Sequence, residues 1–277
     1  MTARPAAASV GVVGHVEWVT HALGDVPRRG AIADLADPLE EPAGGGGVAA
    51  AAVARATGSC LLFTALGNDA NASRVATQLG DMHIEVAAAT RACAQTPVLS
   101  ITGGDGERTI MVVGHRLQAE HHDALPWNRM AGLDGLYYAG EDPRVLARAR
   151  AARVLVVTAR RLGDLIAAGV RADVLVASGA DDDEDPRGIP AALAPGAVVV
   201  TEGARGGVLI PAGQAPRRYD AVAPPGAVVD TYGCGDTFAA ILTVALAAGA
   251  TLDQAAARAA REAAHCATWR GGLGPPS

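Results

Sequence analysis

The stretch Val228-Val229-Asp230-Thr231-Tyr232-Gly233-Cys234-Gly235-Asp236-Thr237-Phe238 runs directly into a long, apolar, Ala-rich segment. Two glycines flank Cys234 just before a predicted helix. The first-turn N–H groups of a helix have no partner within it and carry the positive end of its dipole, so such a turn can hold an anion on main-chain donors alone. Asp236 would stand beside that anion. There it could take a proton from an attacking hydroxyl while the first-turn N–H groups stabilise charge on a transferring phosphoryl. Read without chemistry, the same residues make a glycine turn with an Asp favouring a helix N-terminus.

Outward from this stretch, short runs of Val, Ile and Leu alternate with Ala-rich helical segments. That alternation predicts an α/β fold, a mostly parallel sheet with helices on both faces. Core strands are expected at 9–13, 60–65, 135–139, 153–158, 173–177 and 197–201, and helices at 48–55, 70–79, 143–150, 234–248 and 252–269. Segments 15–39 and 96–113 break the alternation. Each reads as short strands with turns, the second carrying Gly103-Gly104-Asp105-Gly106 between two apolar runs, and together they predict a small β-flap, or lid, over the sheet edge. No linker divides residues 1–277 into separate domains. The acidic run Asp181-Asp182-Asp183-Glu184-Asp185 reads as a solvated loop.

Composition narrows the chemistry. The chain has 277 residues and a formal net charge of -6, and all 23 of its basic Lys or Arg positions are Arg. Without lysine, a Schiff-base enzyme, a pyridoxal phosphate enzyme, a Walker-A NTPase and a protein kinase each lose a central residue. Phosphate would have to be handled by backbone N–H groups, Arg and metal. The mild acidity gives no electrostatic reason to expect nucleic acid. Cys60, Cys93, Cys234 and Cys266 form no Cys-x-x-Cys pair, which suits a reducing compartment. The apolar stretch 238–250 falls short of the ~20 residues that a membrane span needs, and the N-terminus lacks a signal-like apolar core, so a cytoplasmic protein is expected.

The string Asp230-Thr231-Tyr232-Gly233-Cys234-Gly235-Asp236 resembles the Asp-Thr-x-Gly-Ala-Gly-Asp signature of the ribokinase-like (PfkB) carbohydrate kinase family, with Cys in place of Ala. Ala43-Gly44-Gly45-Gly46-Gly47 resembles that family's double-glycine motif. Ala65-Leu66-Gly67-Asn68-Asp69 resembles its Val-Gly-x-Asp segment, and Thr201-Glu202-Gly203-Ala204-Arg205-Gly206-Gly207 its nucleotide loop. The resemblance implies a ribokinase-like fold with a lid, and an ATP-dependent kinase phosphorylating a primary hydroxyl of a sugar or sugar-like molecule. It implies Asp236 as catalytic base and an anion hole at Gly233, Cys234 and Gly235. ATP would lie along Thr201, Gly203, Arg205, Gly206 and Thr231, with Mg²⁺ held mainly through phosphates and water.

The substrate side departs from the family pattern. Glu17 stands where an Asp is usual, and the usual Asn falls on Val48 or Ala49. Glu17, Gly44, Gly45, Gly46, Asn68, Arg108, Gly140 and Arg160 are the candidate substrate contacts, with Trp18 a possible stacking surface. The family's Asn-x-x-Glu becomes Ser178-Gly179-Ala180-Asp181, leaving Ser178 and Asp181 to meet the metal through water. Arg108, Arg160 and Arg205 are the available phosphate-binding cations. His115, His121 and His122 lack the spacing of a metal site. A nucleoside kinase, or a binding protein that has lost catalysis, are the alternatives. Exposed lid strands would suit a homodimer.

Overall fold

Runs that are apolar at consecutive positions can bury both faces only in a sheet covered on both sides. In a computed structural model, which describes residues 8–104, 106–186 and 188–274, the strands in chain order are β1 (Val10–Val13), β2 (Glu17–Leu23), β3 (Ala36–Ala43), β4 (Cys60–Leu66), β5 (Ile84–Thr90), β6 (Pro97–Thr102), β7 (Arg108–Val112), β8 (Gly135–Tyr138), β9 (Val154–Thr158), β10 (Val174–Ser178), β11 (Ala197–Thr201), β12 (Gly207–Pro211) and β13 (Arg217–Tyr219). The helices are α1 (Gly44–Thr57), α2 (Ala70–Asp81), α3 (Pro143–Ala149), α4 (Leu162–Ala168), α5 (Cys234–Ala247) and α6 (Leu252–Cys266). The six expected core strands form. Strand β5, the antiparallel β12 and β13, and the short α4 go beyond the expectation.

The main sheet has nine strands in the order β13-β12-β11-β10-β9-β8-β1-β4-β5, parallel from β11 to β5 with an antiparallel edge at β12 and β13. Side chains alternate between its faces. Val12, Leu62, Tyr137, Val156 and Val176 join the core beneath α1, α5 and α6. Val13, Phe63, Leu136, Leu155 and Leu175 join a second core with Val145 and Leu146 of α3 and Leu165 of α4. From β1 the chain winds to β4 and β5 on one side, and from β8 to β11 on the other. The reversal between β1 and β8 is a topological switch point, where an open α/β sheet leaves a crevice at the strands' C-terminal ends.

The lid is a separate four-stranded sheet, β3-β2-β6-β7. Its β6–β7 hairpin closes by Gly106 N–H to Gly103 O at 3.0 Å; Asp105 lies outside the described residues. The first lid segment runs on past 39, because β3 pairs with β2 up to Glu17 opposite Ala43. A small apolar core of Val19, Ala43, Val48, Val98 and Tyr232 seats the lid on α1.

Helix α1 starts at Gly44, four residues before the expected Val48. Four consecutive glycines oppose a helix by propensity, and packing overrides that preference. A Cβ at Gly46 would lie 2.6 Å from the carbonyl carbon of Gly14 and 2.7 Å from the carbonyl oxygens of Gly14 and His15. The glycines therefore let the first turn press directly on the link from β1 to β2. At the far end, α6 stops at Cys266 and the expected residues 267–269 turn away.

Candidate active site

Two helix N-termini converge at the switch point. Gly233, with φ of 74°, is the left-handed N-cap of α5, a conformation that favours glycine. The Cys234 N–H turns back toward Thr231 O at 3.4 Å. The N–H groups of Gly233, Gly235 and Asp236 hold no acceptor among the described residues, so of the three residues expected to form the hole only Cys234 turns its N–H elsewhere. At α1, Gly44 N–H donates to the Tyr232 hydroxyl (3.1 Å), and Gly45 N–H donates to His15 Nε2 (3.3 Å). Both positive helix ends face one cleft.

Asp236 sits in the first turn of α5, at the floor of that cleft. A Cβ on Gly45 would lie 3.3 Å from its Oδ1 and 3.4 Å from His15 Cε1. The Tyr137 hydroxyl, from β8, donates to Asp236 Oδ1 at 3.3 Å. Desolvation pushes the Asp236 carboxyl up to about 7, with the charge of Glu184 adding to the rise and Tyr137, Arg160 and Arg108 opposing it. Desolvation, with Asp236 nearby, keeps the Tyr137 phenol neutral and able to donate. A carboxyl poised near neutrality can accept a proton at working pH. A hydrogen bond with Cys266, together with burial, pushes the Cys234 thiol up, which argues against a thiolate role there.

On the acceptor side, the Glu17 carboxylate is buried and ion-paired with Arg116 Nε at 2.8 Å. Its Oε2 would lie 3.2 Å from a Cβ on Gly44. Gln95 braces this wall, accepting from Gly67 N–H (2.9 Å) and donating to Val16 O (2.7 Å). Val48 is fully buried beneath the anion turn, and Ala49 is buried too, so neither replaces the missing amide. Trp18 is 5% exposed, packed in the core with Arg74 over its ring, which removes it as a stacking surface. Asn68 is exposed and is tied to Cys93 O only through its backbone N–H. Gly140 is required by packing, since a Cβ there would lie 3.0 Å from Val13 and 3.2 Å from the Tyr138 ring.

The lid tip reaches the anion turn. Thr231, expected along ATP, donates its hydroxyl to Gly106 O (3.2 Å) and accepts from Arg108 (3.2 Å). A polar cleft of about 490 Å³ opens between Glu107 and Arg108 of the lid and Ser178, Ala180 and residues 181–183. Beside it, Gly179 N–H donates to Thr201 O (2.8 Å), which joins β10 to the loop carrying Gly203, Arg205 and Gly206. Arg205 is exposed and lies 3.8 Å from Glu202. A second cleft of about 360 Å³, among Val154, Val174, Leu246 and Leu252, lies at the opposite ends of the strands, away from Asp236.

The acidic run departs from a uniformly solvated loop. Glu184 folds inward, accepting from Ser178 N–H (2.8 Å) and from Arg160 (2.9 Å). Arg160, expected on substrate, is ion-paired with Asp181 and Glu184. No three His, Cys, Asp or Glu side chains among the described residues converge to hold a metal ion. The oxygen-only set of Ser178, Asp181 and Glu184 suits an ion that keeps its waters and its phosphate ligands. His15, Tyr137, Glu184, Arg116 and Gln95 are the site residues that the motif reading missed. Two of them carried a signal: Glu184 stands three residues beyond Asp181, and Tyr137 stands near the end of a central strand, where the sites of open α/β sheets lie.

The model for "pfkB family carbohydrate kinase" matches residues 166–276, which include the loop from Thr201 to Gly207 and the turn from Gly233 to Asp236. A putative ribokinase from Agrobacterium tumefaciens superposes with a TM-score of 0.78 at 20% identity, covering 98% of this chain and 94% of that one. The fold is ribokinase-like, and the PfkB resemblance stands. An adenosine kinase from Sinorhizobium meliloti is similar at a TM-score of 0.77 and 16% identity, covering 97% of this chain and 96% of that one. An Arabidopsis thaliana ribokinase complexed with ribose and ATP is similar at 0.72 and 19%, covering 96% and 95%. No curated protein matches the sequence. No helix among the described residues is long and apolar enough to cross a membrane.

Proposed function

We propose that this PfkB-like chain is an ATP-dependent phosphotransferase acting on a primary hydroxyl of a sugar or sugar-like small molecule. One observation carries the reading: a desolvated carboxyl, Asp236, poised near neutral pH beside unpartnered N–H groups at a helix N-terminus. The acceptor hydroxyl gives its proton to Asp236 as its oxygen bonds the γ-phosphorus. The bond from that phosphorus to the bridging oxygen breaks, and ADP leaves with the electron pair. The N–H groups of Gly235 and Asp236 stabilise the charge growing on the transferred group. Tyr137 fixes Oδ1 and leaves Oδ2 for the proton. The Thr231–Gly106 and Thr231–Arg108 contacts hold the lid tip beside the reaction and help exclude water.

ATP would lie in the cleft bounded by Arg108, Ser178 and the turn at Thr201, Gly203, Arg205 and Gly206. Mg²⁺, bound to its phosphates and met through water by Asp181 and Glu184, would neutralise phosphate charge. Edge strand β7 leaves Ile110 42% and Met111 39% exposed, which supports lid-to-lid pairing in a homodimer; a monomeric mass at micromolar concentration would remove that part. A nucleoside acceptor draws support from the adenosine kinase likeness, while the burial of Trp18 counts against it. The test is ADP release from MgATP across sugars, sugar derivatives and nucleosides. Turnover of sugar-like acceptors, lost in Asp236→Asn, is expected. Turnover of nucleosides alone would select the alternative, and ligand binding without ADP formation would select a non-catalytic protein.

A further inference from the structure

The proposed transfer uses only the main chain of the turn from Gly233 to Gly235, which leaves the Cys234 thiol without a role. Cys234 is also the one letter by which residues 230–236 depart from the Asp-Thr-x-Gly-Ala-Gly-Asp signature, so the turn needs no sulfur there. That sulfur has a partner. Cys234 is the first residue of α5 and Cys266 the last of α6, and the two thiols share a hydrogen bond. Val229 N–H (2.8 Å) and Asp230 N–H (3.4 Å) both donate to Ala267 O, which ties the chain before α5 to the end of α6. Cys266 Sγ donates to Tyr232 O and accepts from Thr237 Oγ1, 3.7 Å each, so residues on both sides of Cys234 hold it in place. Cys60, by contrast, is buried in the core, and Cys93 is exposed on the loop between β5 and β6.

The two thiols differ in acidity and access. The hydrogen bond from Cys234 holds the Cys266 thiol below its ordinary value, helped by the Thr237 hydroxyl and the Arg55 charge and opposed by burial and Asp230. Cys266 is fully buried, whereas Cys234 is half-buried at the anion turn. A disulfide sets its sulfurs about 2.05 Å apart, and thiols in hydrogen-bond contact are one short approach from it. We propose that Cys234 and Cys266 form a reversible oxidation site, which hydrogen peroxide converts into a disulfide joining α5 to α6 at the anion turn. Cys266 ionises and takes the Cys234 proton as the Cys234 sulfur attacks a peroxide oxygen. The S–O bond forms, the O–O bond breaks, and hydroxide leaves, taking a proton to become water. The Cys266 sulfur then attacks the Cys234 sulfenic acid. The S–S bond forms, the S–O bond breaks, and a second water leaves with the Cys266 proton. Two thiols and one peroxide thus give a disulfide and two waters, the sulfurs losing the two electrons that the O–O bond gains. The disulfide removes the S–H that Cys266 gives to Tyr232 O and draws the start of α5 toward α6, displacing the N–H groups of Gly235 and Asp236. Its effect on turnover rests on the phosphotransferase reading; the oxidation itself does not.

The test treats the full chain with hydrogen peroxide, alkylates the thiols that remain and weighs the tryptic peptides, with exposed Cys93 as the internal measure of oxidation. The wild type is expected to yield the Cys234 and Cys266 peptides joined, lighter by two hydrogens, and to release them with dithiothreitol. Cys266→Ser cannot close the bond, so dimedone should trap the sulfenic acid at Cys234. ADP release from MgATP should fall at least about tenfold on oxidation and return on reduction, because the anion-turn donors move. A disulfide found in protein that never releases ADP supports the oxidation site and sinks the kinase reading alone. Cys234 and Cys266 both alkylated after Cys93 is fully oxidised would overturn the proposal, as would a disulfide that leaves ADP release unchanged.

Discussion

Replacing Asp236 with Asn is expected to move activity and stability in opposite directions, because one property of the carboxyl underlies both. In the fold it is held up at about 7, against an ordinary value of 3.8, chiefly by desolvation. A raised carboxyl pKa means that the folded state prefers the protonated form. The stability associated with that preference is complete below about pH 4 and is lost as pH rises through 7. At pH 8 the ionised carboxylate costs the fold about 4 kcal/mol, against about 2 kcal/mol at pH 5. Asn cannot ionise. Relative to wild type, the variant should gain stability steadily from pH 5 to pH 8, by roughly 2 kcal/mol in all. For a chain of this size that is a Tm difference widening by about 5 °C. Any fixed cost from a weakened Tyr137 contact shifts both ends equally and leaves the slope intact. Loss of the base should lower kcat by at least about 10²-fold, with ATP affinity retained. Thermal melts of both proteins from pH 5 to 8, paired with ADP-release rates, provide the assay. Parallel Tm curves would refute the desolvated carboxyl, and near wild-type turnover would refute the base.

Tyr137→Phe removes the donor that favours ionised Asp236, so the acid limb of the kcat profile should move to higher pH. A hydrogen bond to a charged group is worth about 1.5 kcal/mol, so the loss at pH 7 should be roughly sevenfold and shrink at pH 9; an unmoved limb would deny the contact. Gly46→Ala places a methyl 2.6 Å from backbone atoms of Gly14, at an expected cost of roughly 1–3 kcal/mol. Urea unfolding should show that loss together with a raised acceptor KM, because the His15 and Gly45 wall shifts with it; unchanged stability would mean that the first turn of α1 is not tightly seated.

By itself the sequence determined the alternation of strand and helix, the lid hairpin around Gly103 and Gly106, and the glycine turn from Gly233 to Asp236 at a helix start. Each is a local pattern: apolar runs of strand length, glycines at a turn, an acid at a helix start. Propensity misplaced the start of α1, because the reason for Gly44 to Gly47 is the close approach of Gly14 and His15, residues about thirty positions away that meet the helix only in the folded chain. Packing and pairing partners were not legible either: Trp18 and Gly140 meet core neighbours, Arg160 pairs with Asp181 and Glu184, and Thr231 bonds the lid tip.

Only the tertiary structure decided what surrounds Asp236. Tyr137 on β8, Glu184 beyond β10, and His15 beyond β1 are separated in sequence from Asp236 and share no motif with it. They meet because the sheet reverses direction between β1 and β8 and gathers the C-terminal ends of those strands at the N-termini of α1 and α5. That convergence desolvates Asp236 and leaves His15 Nδ1 buried without a partner. Desolvation and an unmet donor are properties of surroundings, and surroundings exist only once the chain has closed on itself.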